Sequence, residues 1–273
     1  MNRRIAAALA AGLMLPSTFV FADAIATATF SNITVELIDL DPADGIAPAV
    51  TFYGVSVAQA ITIFSPDTPM SNVSSFGAAS FGAVSQTSPA SPWSAASGSF
   101  SGDVYAGTGT ATATARATGL QGPFGDVAQG IGEVEFGGIA SPLPASFLLS
   151  PRTELIISGF ADLEGEVTPG GYGQSTASNM SMAIDADTSA GPQHSGASLH
   201  VASGGTSPSS FATSEMELSV SFSNGDATSA SGDFYGLLSA AAASAVPELP
   251  TSTLLLAALA AAGISARGRR SRG

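Results

Sequence analysis

No cysteine and no lysine occur among the 273 residues, and there are only two histidines and one tryptophan. Without cysteine there is no disulfide framework, no thiolate nucleophile and no thiolate metal ligand, so stability must come from packing and backbone ladders. Without lysine, all eight basic residues are arginines, and six of them stand at the ends: Arg3, Arg4, Arg267, Arg269, Arg270 and Arg272. Only Arg116 and Arg152 lie between, against nearly all of the 21 acidic residues. A body this acidic argues against nucleic acid as a partner, because phosphate binding needs clustered cations to release counterions. Anionic membranes and anionic polymers repel it for the same reason, unless divalent cations bridge the two.

The scarcity of histidine also limits the chemistry. His194 stands in "GPQHSG", a loop by composition, and His200 in "ASLHVAS", a strand. No Gly-x-Ser-x-Gly elbow accompanies them, and two histidines without partners at ligand spacing make no zinc site. Paired carboxylates offer a better enzyme hypothesis, a glycosidase, since Glu133 with Glu135, Glu164 with Glu166 and Glu215 with Glu217 each share a strand face. The commoner use of such glutamates is to keep a sheet face soluble. We therefore read the chain as non-enzymatic.

What is abundant is Gly, Ser, Thr and Ala, with period-two alternation. In "SEMELSVSF", Met216, Leu218, Val220 and Phe222 share one face, and the Asn224-Gly225 that follows is a hairpin signal. "NMSMAIDAD" places Met180, Met182, Ile184 and Ala186 inward, and "TELIISGFADLEG" does so with Leu155, Ile157, Gly159, Ala161 and Leu163. "TGTATATARAT" has threonines and Arg116 on one side and only Gly or Ala on the other, so its inward face must lie close to something. Many short strands between Gly, Pro and Asn turns predict an all-β fold, an antiparallel β-sandwich with a jelly roll among its forms. Residues 65 to 97, rich in Ser, Ala and Pro, read as loop.

The two ends read as addresses. "MNRR", an apolar run and "VFADA" compose a secretory signal peptide over residues 1 to 24, with cleavage after Ala22 or Ala24. Residues 25 to 245 form the body. Residues 249 to 266 carry no charge, and a helix of that length reaches about 27 Å at ~1.5 Å per residue, close to a hydrocarbon core. Arg267, Arg269, Arg270 and Arg272 behind it act as a stop-transfer cluster, placing the tail in the cytoplasm and the body outside.

A short motif, one hydrophobic span and a terminal arginine cluster resemble the PEP-CTERM sorting signal of Gram-negative bacteria that make exopolysaccharide. That motif is usually Val-Pro-Glu-Pro; here Val246, Pro247 and Glu248 match, Leu249 takes the fourth position and Pro250 follows. "VELIDLDPADGIAPAVTF", from Val35 to Phe52, is similar to a stretch of uncharacterised PEP-CTERM proteins of betaproteobacteria. The resemblance, carried by residues 246 to 273, implies recognition by an exosortase-type processing enzyme, transient anchoring in the inner membrane, and release to the cell surface or exopolysaccharide matrix.

Calcium is the one cofactor to consider. "DLDPADG" supplies Asp39, Asp41 and Asp44 with Gly45 for a sharp turn, and hard oxygens suit Ca²⁺, though Asp-Pro and Asp-Gly are also ordinary turn formers. The function expected from these readings is that of a secreted surface or matrix protein. The alternative is a carbohydrate-binding module or adhesin, which would need two or more of Trp93, Tyr53, Tyr105, Tyr172 and Tyr235 on one exposed sheet face.

Overall fold

The computed structural model describes residues 22–64, 71–77, 79–89, 91, 93–119, 127–137, 146–168, 173–205 and 210–245. The expected signal peptide, up to residue 21, and the expected sorting motif, with the hydrophobic span and the terminal arginines behind it, lie outside them. Among the described residues every regular element is a strand, and no helix is long and apolar enough to cross a membrane.

Fourteen strands build two antiparallel sheets: β1 (Ala22–Asp39), β2 (Val50–Phe52), β3 (Val57–Phe64), β4 (Ser71–Phe76), β5 (Val84–Thr87), β6 (Ser94–Ser101), β7 (Gly109–Gly119), β8 (Val127–Phe136), β9 (Phe147–Leu149), β10 (Thr153–Val167), β11 (Gln174–Thr188), β12 (Gly191–Gly205), β13 (Ser210–Asn224) and β14 (Ala230–Ala245). The first sheet runs β13-β10-β1-β7-β6-β5 and the second β12-β11-β14-β8-β3-β4, with β9 bridging β14 and β2. The sheets face each other in a sandwich-like arrangement, as the alternating sequences require: each strand has one apolar face to bury. Inward positions of β10 and β11 are buried throughout, from Leu155 to Leu163 and from Met180 to Ala186. In β13, Leu218, Val220 and Phe222 are buried, whereas Met216, on the same side of this edge strand, stays exposed.

A bulge re-aims β1 halfway along. Asn32 takes a left-handed φ of 53°, and the register with both β10 and β7 shifts there. One extra residue flips the parity, so the inward set changes from Ala24, Ala26, Ala28 and Phe30 to Ile33 and Val35. The threonine strand β7 buries Ala111, Ala113, Ala115 and Ala117 against β8, where Gly130 and Gly132 meet the opposite backbone directly. Small residues bring the sheets together in this part of the sandwich. At the other end eight phenylalanines, among them Phe30, Phe81, Phe136 and Phe234, fill a wider gap with ring centroids about 6 Å apart.

Three expectations need correction. Residues 65 to 97 carry β4, β5 and the start of β6 rather than continuous loop. These strands are short, β4 and β5 are outermost in their sheets, and β4 has no fully buried position to give it an apolar period. Asn224-Gly225 closes no hairpin, because β13 and β14 belong to different sheets. Neither residue takes the positive φ of a tight hairpin turn; instead the buried Asn224 amide donates to Ser150 O and Thr228 O, both at 2.9 Å, and pins the crossover. His194 sits in strand β12, not a loop: Pro192 at the second residue is tolerated because β12 is an edge strand.

Side chains rather than ladders close both edges. Ser221 N donates to Ser195 Oγ and Gln193 Nε2 to Ser223 O between β13 and β12, and Ser75 Oγ donates to Ser85 O between β4 and β5. The sandwich has two poles. Ala24 lies level with Val167, Thr176 of β11 lies against Gly165 of β10, and Ser175 pairs with Ala243, so β1 begins and β14 ends at one pole. The other pole lies about 50 Å away along the 15 residues of β11, at ~3.3 Å per residue.

Candidate functional site

That far pole holds the candidate site. On the outward face of the second sheet, His194 of β12, Asp185 of β11 and Asp233 of β14 stand side by side, fixed by the pairings Asp185↔His194 and Asp185↔Asp233. His194 Nδ1 and Asp185 Oδ1 are 2.6 Å apart. Asp233 Oδ1 accepts from Ser146 N at 3.0 Å, which aims its carboxylate. Together with Asp187, Gln193 and Ser231 these residues line an open cavity of about 380 Å³. Among the described residues the only arginines are Arg116 and Arg152, and they pair with Asp23 at 3.1 Å and Asp41 at 2.9 Å. No arginine is left to neutralise the cavity. It therefore suits a neutral or cationic ligand rich in hydrogen-bonding groups, and repels anions.

The cavity brings His194, an acid and Ser231 together without making a relay. Ser231 is on β14 and His194 on β12, two strand spacings apart, or roughly 10 Å, where proton transfer needs about 3 Å. The imidazole Nε2 lies over Gly196, away from β14.

Further along the same face, Glu133 and Glu135 of β8 stand beside Tyr235 of β14. Partial burial, then the charge of Glu135 and a hydrogen bond with it, push the Glu133 carboxyl above the usual carboxylate range. Burial, with the two glutamate charges, pushes the Tyr235 phenol up to about 12. The pairs on β10 and β13 lie on the outward face of the first sheet: Glu164 faces Thr213, Glu166 faces Phe211, and Glu215 faces Asp162.

Asp39, Asp41 and Asp44 form the expected turn after β1, and one carboxylate oxygen of each is engaged, two within the turn and one by Arg152. Asp39 Oδ1 accepts from Asp41 N, Asp44 Oδ1 from Ile46 N, and Asp41 Oδ2 from Arg152 Nη1. Among the described residues no group of three or more His, Cys, Asp and Glu side chains is placed to hold a metal ion. Of the aromatic residues considered for sugar stacking, Tyr172 lies outside the described residues, Tyr53 and Tyr105 are in loops, Trp93 packs partly against the core, and Tyr235 alone is in a strand.

The cavity itself was not foreseen. Asp185 occupies an outward position of a strand that the alternation did reveal, Asp233 lies in a segment where no alternation was read, and their adjacency depends on a register between distant segments. No protein-family model matches the chain, and no curated protein is detectably similar to it.

Proposed function

We propose that the chain is an exported, non-enzymatic protein of the cell surface or exopolysaccharide matrix, built as a jelly-roll-like sandwich. An exosortase-type enzyme sorts it through Val246, Pro247 and Glu248. One observation carries this reading: β1 begins and β14 ends at one pole, and the acidic cavity opens at the other. A body tethered through residues 249 to 266 would hold its thin pole toward the membrane and present the cavity outward. Arg267, Arg269, Arg270 and Arg272 would hold the tail inside, since each costs ~2.5–3.5 kcal/mol at mid-membrane.

The test is intact-mass analysis of envelope and medium fractions from an exosortase-bearing host. The wild-type chain is expected to lose the residues after the motif, while Pro247→Ala with Glu248→Ala leaves the full tail attached in the inner membrane. A mature wild-type chain ending at Gly273 would reject the sorting assignment.

A carbohydrate-binding module or adhesin is the second reading, favoured by the cavity's carboxylates, Gln193 and Ser231, which suit sugar hydroxyls. A glycan array and exopolysaccharide pull-down, with and without calcium, distinguish it: retention of a neutral or amino-sugar polymer supports binding, and retention of none leaves a structural matrix role.

A further inference from the structure

The first turn of chemistry at the thin pole surrounds one residue. Asp23 N donates to Thr168 Oγ1 at 2.8 Å, Thr168 N and Oγ1 return bonds to Asp23 O at 2.9 and 3.1 Å, and Asp23 Oδ2 pairs with Arg116 Nη2. Ala24 next to it is fully buried and pairs with Val167 and Ala117. Two oxygens at this spot are buried without a hydrogen-bond partner: Oδ1 of Asp23 and Oγ1 of Thr118. Asp23 and Thr118 are directly opposite across β1 and β7, so their side chains share a face with Cβ atoms ~5 Å apart. Thr118 is more than nine-tenths buried. A buried acceptor left unpaired is costly, and Asp23 Oδ1 belongs to a residue whose backbone nitrogen carries a single hydrogen, already given to Thr168.

We propose that the mature protein begins at Asp23, and that the α-ammonium released there supplies the donor that Asp23 Oδ1 lacks. Hydrolysis of the Ala22–Asp23 amide by a leader peptidase adds water across the bond. Ala22 keeps the carboxylate, and the Asp23 nitrogen leaves as an amine that takes up the proton. One N–H becomes three: one stays on Thr168 Oγ1, and two become free for Asp23 Oδ1 and for solvent. Cleavage after Ala24 instead would discard the buried Ala24, the partner of Thr168 and the carboxylate of Arg116. The sequence offers both sites; the packing selects the first. The inference rests on the export reading, and its test separates the two.

The full-length chain is expressed in an exporting Gram-negative host, and the N-terminus of the exported protein is sequenced. Asp-Ala-Ile-Ala-Thr is the expected start. A start at Ile25 would overturn this assignment while leaving export intact, and a start at Met1 would overturn both. Asp23→Ala then probes the new donor: it should lower Tm of the exported protein by roughly 2–4 °C, and by less in the uncleaved precursor, made by replacing Ala22 with leucine. Equal effects in both, or none in the exported protein, would remove the ammonium from the account.

Discussion

Gly132 of one sheet lies against the backbone of Ser97 in the other: a Cβ on Gly132 would stand 2.2 Å from Ser97 O, and 2.4 Å from Thr114 O. Both obstacles are backbone, so no side-chain rotation can relieve the overlap. Gly132→Ala must separate the sheets locally, and overpacking of this kind costs typically ~1–3 kcal/mol or more. For a chain of this size that lowers Tm by at least ~2–4 °C. Gly225→Ala is the control, since nothing lies within 4 Å of its Cβ position; thermal melts should find it near neutral.

The crossover from β13 to β14 depends on one amide. Asn224 is fully buried, donates to two carbonyls and accepts from Asp226 N at 3.2 Å. Asn224→Ala orphans these groups at ~1–3 kcal/mol each, so a loss of about 2 kcal/mol or more is expected in urea titration. Asn224→Asp keeps the acceptor but turns a carboxyl toward Ser150 O and Thr228 O. At neutral pH it should be at least as damaging as alanine, and less so in acid, where protonation restores one donor.

Glu133 sets a pH dependence. Its folded pKa lies above the ordinary 4.5, so the folded state holds this proton more tightly than the unfolded chain. Its contribution to stability is fully present below pH ~4.5 and is lost as the pH rises through the folded value. Glu133→Gln removes the ionisation, so relative to wild type it should raise Tm modestly at pH 7. At pH 4 it should have little effect. An equal shift at both pH values would show that the side chain acts by packing instead.

The sequence revealed strands wherever a strand has one clearly apolar face, as in β10 and β11, where Leu155 to Leu163 and Met180 to Ala186 alternate with polar residues. It also required β7 to meet a close neighbour, which Gly130 and Gly132 are. It concealed β4 and β5, whose serines carry no period because edge strands bury little. It misdirected at Asn224-Gly225, where the same dipeptide that favours a hairpin turn serves as an internal pin. The cavity was hidden for a different reason: Asp185, His194 and Asp233 become neighbours only through the β12-β11-β14 register, which is set by the whole sheet and not by any local pattern.

The cavity's aspartates should trade stability against binding. Asp185 and Asp233 are directly opposite across β11 and β14, and like charges so placed destabilise a sheet by ~0.2–1 kcal/mol. Asp185 also holds His194 Nδ1, while Asp233 Oδ1 holds Ser146 N. Asn at either site keeps an oxygen for those bonds and removes one charge. Asp233→Asn is therefore expected to raise Tm slightly, most at low ionic strength where the repulsion is least screened. If the cavity binds a neutral or cationic sugar, the same substitution should weaken retention of that polymer in a pull-down, several-fold for an amino sugar whose ammonium loses a carboxylate. A gain in stability with unchanged retention would place ligand binding elsewhere on the body, and would leave the opposed carboxylates as a cost with no function at this pole.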